Sequence, residues 1–135
     1  MIESWRKVFR DGIAPQLSTA ALEALRHALA TDDPRLLQGS TTSPPPLQCA
    51  EDWPVEGACV LSFCGWQGNG LTTVGAVEQF FADTCHAADR LLGEPAAIRY
   101  FTNFWDDNPR HFARLLLLAE VEGELARRSG KAGAA

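Results

Sequence analysis

The sequence has no apolar run that could cross a bilayer. Its longest, Leu115 to Ala119, falls far short of the roughly 20 residues a membrane helix needs. It does not open on the apolar core of a secretion signal either, because Glu3, Arg6 and Lys7 stand where that core would be. Basic residues are in the minority, 12 Lys and Arg against 17 Asp and Glu, for a formal net charge of −5. An acidic surface repels phosphate backbones, so nucleic acid is an unfavoured partner. The two small basic clusters (Arg6, Lys7, Arg10 and Arg127, Arg128, Lys131) lack interleaved aromatics and read as solvated helix ends. Cys49, Cys59, Cys64 and Cys85 include no C-x-x-C pair. A chain of this size needs no disulfide, so they are expected as buried thiols. The expected protein is soluble, cytoplasmic and off the membrane.

What is present is globular. Hydrophobic residues make up 46% of the chain and charged residues 21%, which argues against disorder. Ile2, Trp5, Val8 and Phe9 recur at helical spacing, with Gly12 placed to end that helix. Ser18 reads as the N-cap of a second helix with a Leu22, Leu25, Leu29 stripe, since Leu17 and Leu22 form a hydrophobic staple around it. Residues 39–57 dissolve into a Pro, Ser and Thr-rich connector, in which Ser43 to Leu47 should be polyproline II. As a ligand for a proline-recognising domain that stretch lacks a flanking basic residue.

Ala58 to Cys64 and Ala97 to Trp105 read as strands buried on both faces. Between them, a helix from about Thr73 carries the stripe Val74, Val77, Phe81, Thr84, Cys85, Ala88, Leu91 and Leu92, and stops at Gly93 and Pro95. Asn108-Pro109 opens a last helix to about Arg127, with His111, Phe112, Leu115 and Leu118 on its apolar arc. The predicted fold class is α+β: one compact domain over 1–128, N-terminal helices followed by a β-α-β-α unit with a small sheet, and a disordered tail at 129–135. Two strands make a meagre sheet, so a third strand, a covering helix or pairing between two copies is expected.

Parallel strands would end at one edge, where open α/β sheets bind ligands. That edge would collect Gly65, Trp66, Gln67 and Asn69 from a Gly-rich loop with Asp106, Asp107 and His111 from the other. Against the phosphate-binding pattern G-x-x-x-x-G-K-[ST], Gly65, Gly70 and Thr72 match, but Leu71 replaces the lysine that carries the charge. Asp106, Asp107 and His111 could ligate a metal, yet carboxylates at a helix start are also what the helix dipole favours. His27 and His86 fall off their helices' apolar faces, and Cys85 diverges from His86, so no Cys-His dyad is expected. Glu122 falls inside the apolar arc of the last helix, about 16 Å along it from His111 at 1.5 Å per residue. The two therefore cannot share one site within that helix.

The segments Asp32 to Gly39, Thr41 to Cys49, and Phe63 to Trp66 resemble a group of small bacterial proteins of no assigned activity. The resemblance spans most of the chain except the tail and implies no catalytic residue. The motifs name no cofactor. The functional expectation is a non-catalytic binding or assembly module that self-associates as a homo-oligomer or takes a protein partner. The alternative is a small enzyme or metal-dependent ligand binder using the Gly65–Gly70 loop with Asp106, Asp107 and His111.

Overall fold

A computed structural model describes residues 4–42 and 50–134. The polyproline expectation and Cys49 lie outside them. Helix α1 (Ser4–Val8) passes into a π-helical turn (Phe9–Ile13) and a 3-10 turn (Ala14–Gln16). Gly12 does not end the helix as its sequence suggests but sits within the π turn. A Cβ there would come 2.7 Å from Leu92 Cδ1, so its lone hydrogen admits a neighbouring helix.

Helix α2 (Thr19–Thr31) begins as the sequence predicts, with the Ser18 hydroxyl accepting from the Ala21 N–H at 3.0 Å. Leu22, Leu25 and Leu29 are fully buried. The helix closes on Asp32 in the left-handed conformation (φ 54°), a region that short polar side chains tolerate.

The α+β expectation is overturned. Among the described residues no strand forms, and the extended contacts are isolated bridges such as Leu36 to Ala58 and Pro54 to Thr73. Where the first strand was expected stand α3 (Val60–Phe63) and a π-helical turn (Cys64–Gly68). Where the second was expected stand a π-helical stretch (Ala97–Thr102) and α5 (Asn103–Asp107). The physical reason is that short apolar runs buried all round look alike as strand or helix. In the second, the buried residues are Ala97, Phe101 and Trp105 at four-residue spacing, while Ile98 and Arg99 are exposed. That is a helical period. With no sheet among the described residues, the expected β-α-β-α unit and its shared strand edge do not form.

Helix α4 (Val74–Leu92) matches its sequence signals, capped by the Thr73 hydroxyl and ended by Gly93 at φ 80°. Its buried side carries Val74, Val77, Thr84, Cys85 and Ala88, whereas Leu91 is exposed. Around it, Trp5 stacks on Phe104 at 3.8 Å between ring centroids and Phe9 on Phe101 at 5.5 Å.

Helix α6 (Arg110–Ala134) runs past Arg127 into the expected tail, whose alanines favour helix. It lies antiparallel to α2, fastened by arginines. At one end Arg128 donates to the Ala14 carbonyl and the Thr19 hydroxyl. Arg114 donates to the Leu29 carbonyl at 2.7 Å, and Arg110 reaches Asp32 and the Asp33 and Leu36 carbonyls. These satisfy acceptors at the C-terminus of α2, where positive charge is favoured. The buried strip of α6 is Ala113, Leu117, Glu120 and Val121, whereas Phe112 and Leu115 of the expected apolar arc are exposed and Leu118 packs only partly against the core.

Candidate functional site

The helical turn Cys64–Gly68 is pressed against α2. A Cβ on Gly68 would stand 2.3 Å from Ala21 Cα, so only glycine permits this approach. One residue on, Asn69 Oδ1 accepts from the Ser18 hydroxyl at 3.1 Å and ties the turn to the N-terminus of α2. This crossing leaves an open cleft of about 330 Å³ further along α2.

The cleft carries two ion pairs. Arg26 pairs with Glu23 at 3.2 Å across one helical turn. Arg35 grips Asp33 through both nitrogens at 2.7 and 3.1 Å, and its own N–H donates to the same carboxylate. The Arg35 guanidinium holds the Asp33 carboxyl below the ordinary 3.8, outweighing partial burial. Phe63 and Ala28 supply an apolar floor, with Gln67 and His27 at the rim. Behind it, Phe63 meets Trp66 edge-on at 5.8 Å and Arg35 lies over the Trp66 ring at 5.3 Å.

The residues grouped by sequence are distributed as follows. Gly65 is buried beneath Phe80, which a Cβ would meet at 2.9 Å. Trp66 backs the cleft, Gln67 lines it, and Asn69 clasps Ser18. Asp106 accepts from the Gly39 N–H at 2.8 Å, beside a Trp105 indole donating to the Leu37 carbonyl. Asp107 is exposed at the end of α5, and His111 is exposed with Nδ1 3.4 Å from Arg114 Nη2. Asp106, Asp107 and His111 do not line the α2 cleft. Among the described residues no three His, Cys, Asp or Glu side chains gather as a metal ion would need.

Sequence reasoning did not single out Glu23, Arg26, Asp33 or Arg35. On α2 and just beyond it these charges belong to no motif, and only the fold shows that Phe63 and Gln67 line a cleft with them. Glu120 was also missed. Its carboxylate, 10% exposed, binds Arg10 at 2.7 and 3.1 Å and Arg6 at 3.4 Å. Its signal was the Ala113, Leu117, Glu120 spacing; the flagged Glu122 is exposed.

The thiols of Cys59, Cys64 and Cys85 are buried, as expected. Burial raises all three, and Cys85, with Asp89 nearby, is pushed up to about 12. Such thiols are poor nucleophiles at neutral pH. No helix among the described residues is long and apolar enough to cross a membrane. Comparison with protein-family models, curated proteins and solved structures returns no match.

Proposed function

We propose that the protein is a small, cytoplasmic, non-catalytic binding module that takes a small zwitterion in the α2 cleft. The observation that carries this reading is the pairing of Arg26 with Glu23 and Arg35 with Asp33 around one apolar floor. A ligand bearing a carboxylate and an ammonium group can set its carboxylate against the arginines and its ammonium against Glu23 or Asp33 while both pairs stay intact. Each protein charge then keeps an opposite partner as water leaves, which avoids the large cost of an orphaned charge. The volume of about 330 Å³ lies at the small end of the roughly 300–1,000 Å³ range for ligand pockets. Buried thiols of raised pKa favour binding over cysteine chemistry.

Calorimetric titration with the common amino acids and a set of dipeptides tests the reading. Saturable binding is expected for at least one compound. It should weaken at least tenfold in Arg26→Ala or Gln67→Ala and persist in Asp107→Ala. If the whole panel fails to bind, or if binding depends on Asp107 and not on Arg26, the cleft is not the site.

A further inference from the structure

Helix α6 faces the body of the protein through a narrow strip and presents a second apolar face to solvent. Phe112 is 57% exposed and Leu115 45%. Ala119 and Ala126, both exposed, continue the same face at three- and four-residue spacing, with Leu116, which also packs against the core, and Gly123, beside the Arg127 guanidinium, along its edge. From Phe112 to Ala126 the stripe is about 21 Å long at 1.5 Å per residue. It is graded in size, bulky at Phe112 and Leu115 and small at Ala119, Gly123 and Ala126. One flank carries the exposed His111 and Glu122.

We infer that a second copy of this chain packs antiparallel on this face, seating Phe112 over Ala119 and Gly123 of the second copy. A dyad perpendicular to two antiparallel helices brings each flank against the same flank of the other copy. The register that sets His111 opposite Glu122 of the second copy has its dyad between Leu116 and Leu117. In that register Phe112 falls level with the gap between Ala119 and Gly123, and Leu115 beside Leu116 and Ala119. Shape and the hydrogen-bonding chemistry of an imidazole facing a carboxylate thus choose one register independently. His111 and Glu122, too far apart to meet within a helix, meet twice across the pair. A single helix stripe buries less than the roughly 800 Å² per partner of a standard interface, so the dimer is a weak one. The inference is independent of the cleft.

Sedimentation velocity of the full chain from low to high micromolar concentration tests it. The sedimentation coefficient should rise with concentration toward that of a dimer. Phe112→Ala should raise the dimer dissociation constant at least tenfold, the scale of one large side chain. Glu122→Lys should weaken association severalfold, and adding His111→Glu to it should restore the wild-type value. All three side chains are exposed, so melting temperatures close to wild type would show that the variants fold. A monomer at every concentration would overturn the inference. So would a double variant no better than Glu122→Lys alone.

Discussion

Replacing Gly68 with alanine puts a methyl group 2.3 Å from Ala21 Cα, 2.7 Å from its Cβ and 2.9 Å from its nitrogen. Carbon atoms rest about 3.5–4.0 Å apart, so the turn and α2 must separate by more than about 1 Å. Two of the three obstructing atoms are backbone, which no rotamer change can move. Overpacking of this kind costs about 1–3 kcal/mol. Alanine recovers about 0.4–1 kcal/mol by restricting the unfolded chain. The separation also strains the Ser18–Asn69 hydrogen bond, about 1 kcal/mol. A net loss of about 2 kcal/mol is expected in urea unfolding, with a melting temperature lower by about 6–10 °C. Two other glycines are internal controls. Gly70, at φ 78° with open space around it, should lose about 1 kcal/mol as alanine through strain alone. Gly12 meets Leu92 Cδ1 at 2.7 Å and Cγ at 2.9 Å, side-chain atoms that can give way more readily than backbone, so its alanine variant should lose less than Gly68→Ala. A Gly68→Ala protein within about 0.5 kcal/mol of wild type, or less affected than Gly12→Ala, would refute the crossing.

Three further outcomes follow from the same contacts. Glu120→Ala removes the carboxylate held by Arg10 and Arg6. It should lose about 1–2 kcal/mol in chemical denaturation, between an exposed and a fully buried pair, whereas a loss within error would show that α1 and α6 dock without it. Cys59, Cys64 and Cys85 should resist an aromatic disulfide reagent in the native state and react on unfolding, so rapid native labelling of all three would contradict their burial. Asp33 is held below 3.8 by the Arg35 guanidinium, and Asp32 by that of Arg110. A depressed carboxylate stabilises the fold fully above its unfolded value and loses that contribution as pH falls through the lower folded one. Melting temperature should therefore drop below about pH 3.8, with a shallower slope in Asp33→Asn; identical slopes would deny the pair a role.

Local signals were legible and long-range ones were not. Ser18, Thr73 and Gly93 mark helix ends through chemistry confined to a few residues, and all three perform the roles read from them. Ala58 to Cys64 misled because a segment buried on every side loses the polar residues that reveal its period. Ala97, Phe101 and Trp105 did carry a period of four, but the aromatic density around them resembles a strand. The outward turn of Phe112 and Leu115 could not be read because α6 docks through arginines, and hydrophobicity alone assigns the richer face to the core. At the cleft, Trp66 and Gln67 stood out by composition, while Arg26 and Arg35 needed the crossing at Gly68 to acquire a meaning.

The arginine fastening of α6 has a consequence for how the molecule comes apart. Arg110, Arg114 and Arg128 bind carbonyl and carboxylate oxygens through guanidinium groups. The denaturant guanidinium chloride carries that same group, free in solution and in vast excess. It therefore competes directly for the oxygens that hold α6 down, besides screening their charge, while uncharged urea solvates those oxygens without screening them. The two denaturants should take the protein apart in different orders, with guanidinium peeling α6 away before the core of α2 and α4 yields.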